Sequence, residues 1–138
     1  MKKGITLILA VLVSSLALTL GMGVFTLLFS QIEFSGVAKE STVAFYAADS
    51  GVECALFWDI NHDSFATSSI STINCDEDSF EVGGSSGLSV FTLPLGNGSC
   101  ANVEVEKSDN FTVITSLGEN FCGVVSSKTV QRGLRVSY

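Results

Sequence analysis

The pattern of apolar and polar positions divides the 138-residue chain into three parts. In the first, residues 5–29 form a run of 25 positions without a charged side chain. As a helix this run is roughly 38 Å long, and the hydrocarbon core of a bilayer is about 30 Å thick. A helix can also bond the hydroxyls of its few Ser and Thr residues to its own carbonyls. The run therefore predicts a transmembrane helix.

The second part, residues 30–58, has the periodicity of an amphipathic helix. It contains no Pro, and Gly36 and Gly51 are its only glycines. Its apolar residues recur at intervals of three and four, which places them on one face of a helix. They are Phe34, Val37, Ala38, Phe45, Ala48, Val52, Ala55 and Leu56. We therefore expect the first helix to continue to Trp58 and to pack this face against a small domain or a neighbouring helix.

The third part, residues 59–138, changes to Ser, Gly, Asn, Asp and Thr with short apolar stretches. Residues 61–87 are rich in turn formers and predict an irregular connection with a short strand at 70–75. Four segments rich in β-formers come next, at 88–95, 101–107, 111–117 and 128–138. Val103 and Val105 alternate with polar neighbours, as in a half-buried strand. The predicted fold class is α+β, with the long helix packed on a small antiparallel sheet.

All four cysteines, Cys54, Cys75, Cys100 and Cys122, lie beyond the apolar run. If the run spans a membrane and this part is exported, an oxidising compartment predicts two disulfides. Four cysteines allow three pairings, and we prefer Cys54 with Cys75 and Cys100 with Cys122. The first pair would tie the helix end to the loop after it, and the second would join the outer ends of two strands. Each bond closes a loop of about 20 residues, worth about 3 kcal/mol.

The distribution of charge predicts how the chain lies across the membrane. Lys2 and Lys3 precede the apolar run, and no other basic residue occurs before Lys39. The positive-inside rule keeps such an N-terminus in the cytoplasm and exports the chain beyond the helix. With 14 Asp and Glu against 7 Lys and Arg, the net charge is −7. This acidity argues against nucleic acid as a partner, although Lys128, Arg132 and Arg135 form a small basic patch.

Catalytic and metal-binding patterns have little support in this sequence. The single His, His62, excludes most Cys/His catalytic and zinc layouts. The acidic residues Asp76, Glu77, Asp78 and Glu81 could attract Ca²⁺, but they lack the spacing of a calcium loop. We interpret them as a solvated acidic turn. The sequence predicts no enzyme, no cofactor and no metal site.

The first residues, Lys2-Lys3-Gly4-Ile5-Thr6-Leu7-Ile8, resemble the class III leader of type IV pilins and pseudopilins. This resemblance implies that residues 1–4 are a leader peptide, cut between Gly4 and Ile5 by a prepilin peptidase on the cytoplasmic side. The new N-terminus would then be N-methylated. The Glu that the family carries five residues beyond the cut is replaced here by Leu9. That departure shifts the resemblance from major pilins towards minor pilins.

A second segment, AFYAADSGVECAL at residues 44–56, is similar to the A-F-x-A-A-E-x-G-x-x-x-A-L stretch of PilX-type minor pilins. Asp49 stands where that pattern usually has Glu. The two matches together cover about the first 58 residues. The resemblance implies a pilin-like fold in which this segment ends the long helix and packs on the β-rich head. It also implies a structural subunit of a type IV pilus or pseudopilus, with other pilin subunits, the peptidase and membrane lipid as partners.

The same sequence allows a second function. An exported ligand-binding domain that keeps residues 1–4 and stays anchored by one membrane helix would show the same apolar run. A cleaved secretory signal is a poorer fit, because the apolar run exceeds the 7–15 residues of such signals and no clear cleavage site comes after it. As a pilin-like subunit, the protein would be located in a cell-surface filament after assembly. As an anchored ligand-binding domain, it would remain in the cytoplasmic membrane.

Overall fold

A computed structural model describes residues 2–84, 86–124 and 128–138 of the chain. Within these residues one helix, α1 (Lys2–His62), precedes six strands. They are β1 (Ile70–Cys75), β2 (Asp78–Gly83), β3 (Leu88–Pro94), β4 (Cys100–Ser108), β5 (Phe111–Glu119) and β6 (Gln131–Ser137). The chain divides into two compact units, Met1–Gly36 and Val37–Tyr138. Because a long apolar helix precedes a small antiparallel sheet, the predicted α+β class is correct.

The strands form two antiparallel sheets. The larger sheet has four strands in the order β3-β4-β5-β6, so each strand pairs with the next along the chain. All four strands of this sheet were predicted, with small shifts at their ends. The turn at Asp109 and Asn110 joins β4 to β5, as the polar residues between the two apolar stretches indicate.

The second sheet is a two-stranded hairpin that the sequence predicted only in part. The predicted short strand at 70–75 is β1, but β2 lies in the segment that was expected to be irregular. Phe80 and Val82 are the only large apolar residues of β2, and acidic residues and glycines surround them. The alternation is therefore too short to stand out in the sequence, although Val82 is buried in the core.

The buried face of α1 in the second unit is made largely of small residues. Ala44, Ala47, Ala48, Gly51, Val52 and Ala55 are buried, and they recur at helical spacing. The predicted apolar face is correct for Ala48, Val52 and Ala55. Leu56 is partly buried against the core, whereas Phe34, Val37, Ala38 and Phe45 are exposed in this single chain, and packing of these four residues on a neighbouring helix stays a prediction.

Close approach of the helix to the sheet explains why small residues fill this interface. A methyl group added to Gly118 of β5 would overlap the Ala44 carbonyl oxygen and the Ala48 backbone nitrogen. At Gly51 of the helix, an added methyl group would lie 2.7 Å from Val103 Cγ2 of β4. Only small residues fit at this distance, so the larger side chains of the helix remain outside the interface.

One core joins the helix, the hairpin and the sheet. Its buried members are Val52, Ala55, Phe65, Ile73, Cys75, Val82, Phe91, Leu93, Ala101, Val103, Val105 and Ile114. In β4 the buried Val103 and Val105 alternate with the exposed Glu104 and Glu106, as predicted. Asp63 ends the helix in a left-handed conformation with φ of 49°, and its N–H donates to the Asp59 carbonyl at 3.0 Å.

Candidate functional site

The first unit is a helix whose side chains are exposed along its whole apolar run. Every large apolar side chain between Ile5 and Phe29 has 55–70% of its surface exposed. Among the described residues, α1 is the one helix long and apolar enough to cross a membrane, by length and composition. In water such a surface would be unfavourable, because each apolar side chain removed from water contributes on the order of 1.5–3 kcal/mol. The helix therefore suits a hydrocarbon or protein environment.

Hydroxyl side chains from Ser14 to Thr26 are bonded within the helix. Hydroxyls of Ser14, Ser15, Thr19 and Thr26 each donate to the carbonyl three residues earlier at 2.9 Å. The expectation that the helix bonds these hydroxyls internally is confirmed for these four residues. Such bonds remove the cost of placing a hydroxyl in lipid.

The predicted processing residues lie at the start of this helix. Gly4 is helical and exposed, and a Cβ atom added to it would meet no atom within 4 Å. Ile5 and Leu9 are also exposed. Met1 of the predicted leader lies outside the described residues. The structure gives Gly4 open surroundings, and cleavage after it stays a prediction.

The cysteines lie in the two pairs that the sequence favoured. Cys54 of α1 and Cys75 of β1 are at disulfide distance, with their Cα atoms 6.0 Å apart. Cys100 of β4 and Cys122 form the second pair, with a Cα separation of 5.2 Å. Both separations fall in the range that disulfides require. The first pair links the helix to the hairpin, and the second holds the segment after β5 against the start of β4.

A buried carboxylate joins the helix to β4 and to Tyr138, which follows β6. Asp59 of α1 is 5% exposed. It accepts hydrogen bonds from Lys107 Nζ of β4 and from the hydroxyl of Tyr138, each at 2.6 Å. Lys107 also bonds the exposed Asp63. We call Asp59, Lys107 and Tyr138 the carboxylate clasp.

In the carboxylate clasp the pKa values of both donors, Lys107 and Tyr138, are raised. Burial alone would lower the pKa of Lys107, but the hydrogen bonds and charges of Asp59 and Asp63 raise it above its ordinary value of 10.5. Burial raises the pKa of Tyr138 above its ordinary value of 10.0, and the hydrogen bond and charge of Asp59 add to the effect. Both donors therefore keep their protons at neutral pH.

Sequence reasoning missed the carboxylate clasp, although one signal was present. Asp59 continues the buried stripe of the helix, four positions after Ala55. A charged residue in register with a buried stripe implies a partner in the fold. The partners themselves, Lys107 and Tyr138, could not be found by spacing, because they lie 48 and 79 residues away.

Two other polar groups tie the same helix to the sheet. Asn120 is buried, and its side-chain amide donates to Glu40 at 2.8 Å and accepts from the Val130 N–H at 2.8 Å. Arg132 of the predicted basic patch donates from Nε to the Ser41 hydroxyl at 2.7 Å. At least this member of the patch therefore has a partner within its own chain.

The acidic residues singled out in the sequence lie at and beside a turn. Asp76 and Glu77 connect β1 to β2, and all four residues of the group are exposed. Asp76 has a left-handed backbone with φ of 57°. Within residues 2–84, 86–124 and 128–138, no three His, Cys, Asp or Glu side chains lie together as a metal site requires.

Comparison with protein-family models, with curated proteins and with solved structures finds no match to this chain. Its function is therefore inferred from its own residues and their geometry.

Proposed function

We propose that the protein is a minor pilin or pilin-like structural subunit of a type IV pilus or related pseudopilus. In this proposal residues 1–4 are removed after Gly4, and the subunit assembles with other pilins through its apolar helix. After this cleavage and the N-methylation of Ile5, assembly involves no further chemical step. Before assembly, the helix holds the subunit in the cytoplasmic membrane with the second unit outside.

The observation that carries the proposal is the exposed apolar helix of the first unit, immediately after a Lys-Lys-Gly leader. Its surface needs lipid or other apolar helices around it, and its hydroxyls are already bonded within the helix. A membrane supplies the first environment, and a bundle of identical or related helices supplies the second. One element can therefore serve as both anchor and assembly surface.

The second unit supports the same proposal. In it the end of α1 packs on a four-stranded antiparallel sheet, and two cysteine pairs lie at disulfide distance. The AFYAADSGVECAL segment, which resembles a pilin pattern, supplies the small residues Ala44, Ala48 and Gly51 of that interface. The pattern thus has a physical role here, because larger residues at these positions would separate the helix from the sheet.

A pair of matched glycine variants tests the proposal in cells that carry the native assembly system. Gly4 and Gly21 are both exposed helical glycines with no atom within 4 Å of an added Cβ. We expect Gly4→Val to block removal of residues 1–4 and to eliminate the protein from sheared surface filaments. We expect Gly21→Val to be processed normally.

The contrary result is normal processing and surface assembly of Gly4→Val. If wild-type protein keeps its first residues, the second function, an uncleaved membrane-anchored ligand-binding domain, replaces the first.

A further inference from the structure

A groove of about 450 Å³ lies on the second unit, beside the Cys54–Cys75 pair. Residues of α1, of the end of β1, of the β1–β2 turn, and at and just after the end of β3 line it. They are Ser50, Glu53, Phe57, Trp58, Asn74, Asp76, Leu93 and Leu95, together with the two cysteines. The groove is shallow and open to solvent, so a bound group would remain partly exposed.

The walls of the groove are held in place by direct bonds. Trp58 Nε1 donates to the Asn74 carbonyl at 2.9 Å, which fixes the indole against β1. The neighbouring Cys54 and Cys75, with Cα atoms 6.0 Å apart, link the same two elements. A ligand would therefore meet a preformed surface, and little ordering would be needed on binding.

Aromatic rings form one side of the groove. Phe57 is 54% exposed, and its ring centroid lies 5.7 Å from that of Trp58 with the rings perpendicular. The ring of His62, which does not line the groove, lies 4.7 Å from that of Trp58 and 5.7 Å from that of Phe57 and packs on the same two rings. The faces of both rings carry negative electrostatic potential, which attracts cations.

The charged groups of the groove are both acidic. Glu53 and Asp76 are exposed, and neither forms an ion pair with any residue that the structure describes. No Lys or Arg of the described chain lines the groove. Two donors among the lining residues already have acceptors, since the Ser50 hydroxyl donates to the Tyr46 carbonyl and the Trp58 N–H donates to the Asn74 carbonyl. The groove thus offers negative charge and aromatic surface together.

From this geometry we infer that the groove binds small alkylammonium cations, of which the trimethylammonium group of choline is the simplest test ligand. The methyl groups contact Phe57 and Trp58, while Glu53 and Asp76 supply the compensating charge. This binding is a property of the second unit beyond the proposed structural function. It does not depend on cleavage after Gly4 or on filament assembly.

Trp58 makes the inference directly measurable, because it is the only Trp in the chain. The full chain in maltoside micelles, which contain no choline, is titrated with choline while Trp58 fluorescence is followed. A parallel titration uses the neutral choline analogue in which carbon replaces the nitrogen. We expect saturable binding of choline, with a dissociation constant at least about tenfold lower than that of the neutral analogue.

Two variants that keep Trp58 test the residues of the groove. Glu53→Gln and Phe57→Leu are expected to weaken choline binding several-fold. Glu104→Gln removes the same charge as Glu53→Gln from an exposed position of β4 outside the groove, and we expect it to leave binding unchanged. Circular dichroism checks that each variant is folded.

The inference is overturned if choline does not change Trp58 fluorescence saturably, or if the neutral analogue binds equally well. It is also overturned if Glu104→Gln weakens binding as much as Glu53→Gln, because the effect would then come from overall charge.

Discussion

The hydroxyl of Tyr138, the last residue of the chain, donates a 2.6 Å hydrogen bond to the buried carboxylate of Asp59 in the helix. Lys107 bonds the other oxygen of the same carboxylate at 2.6 Å. The helix, β4 and the end of the chain therefore meet at one charged group. Because Asp59 is buried, its charge is tolerated only while these donors are present.

Removing the buried carboxylate should destabilise the second unit. We expect Asp59→Asn to lower the free energy of unfolding by about 1–3 kcal/mol, since Lys107 and Tyr138 lose a charged acceptor. Asp63→Asn is the matched control, because the Asp63 side chain is 72% exposed. We expect the control to change stability by less than about 1 kcal/mol. Urea unfolding measures both, and equal losses would contradict a special role for Asp59.

The carboxylate clasp also predicts how stability depends on alkaline pH. Tyr138 and Lys107 have pKa values raised on folding, from 10.0 and 10.5 respectively. Their contribution is complete below these unfolded-state values and is lost as the pH rises through the folded-state values. Stability should therefore fall as the pH is raised above about 10.

Tyr138→Phe isolates the contribution of the tyrosine. It should be less stable at pH 7 by about 1 kcal/mol, because the hydrogen bond to Asp59 is lost. Its stability should then decline less than that of the wild type above pH 10, the unperturbed Tyr value. Urea unfolding at a series of pH values compares the two proteins, and parallel pH profiles would disprove the role of Tyr138.

The close helix–sheet contact predicts a large effect at one glycine. Gly118→Ala places a methyl group against the backbone of Ala44 and Ala48, so the helix must move away. We expect a loss of more than about 2 kcal/mol. At Gly96 an added methyl group meets nothing within 4 Å, and Gly96→Ala should be nearly neutral. Thermal unfolding of both variants checks this, and a stable Gly118→Ala would mean that the helix does not approach the sheet so closely.

Ser116 of β5 lies under the same helix, and we expect its replacement to affect stability in the opposite direction from Gly118→Ala. Among the described residues its hydroxyl is the buried side-chain polar group that has no hydrogen-bond partner. Removing a buried polar group without a partner relieves a desolvation cost of about 1–3 kcal/mol. Ser116→Ala should therefore be neutral or stabilising in thermal unfolding. A clear loss of stability would show that the hydroxyl has a partner after all.

Local sequence patterns predicted where the strands lie, but they predicted less well which residues make contacts between elements. The alternation around Val103 and Val105 identified β4, because period-two patterns reflect burial on one face. The helical periodicity did not identify which residues face the sheet, since it grouped the exposed Phe45 with the buried Ala48 and Val52. Ala44 and Gly51 face the sheet instead, and this depends on Gly118 of a strand more than 60 residues away.

The candidate functional features also divide into those that local sequence predicts and those that depend on contacts between distant residues. The apolar helix and the four cysteines could be identified from composition and order along the chain. The carboxylate clasp and the groove at Trp58 could not, because each combines residues distant in sequence. In the groove, Phe57 and Asp76 come together only after the hairpin β1–β2 packs beside the helix.

The N-terminus of the mature protein tests the central proposal most directly. Protein taken from the cell envelope and from sheared surface filaments is digested, and its N-terminal peptide is sequenced by mass spectrometry. We predict a peptide that begins with N-methylated Ile5 and lacks residues 1–4. An envelope protein whose N-terminal peptide still contains Lys2, Lys3 and Gly4 would contradict assignment of the chain as a pilin-like subunit.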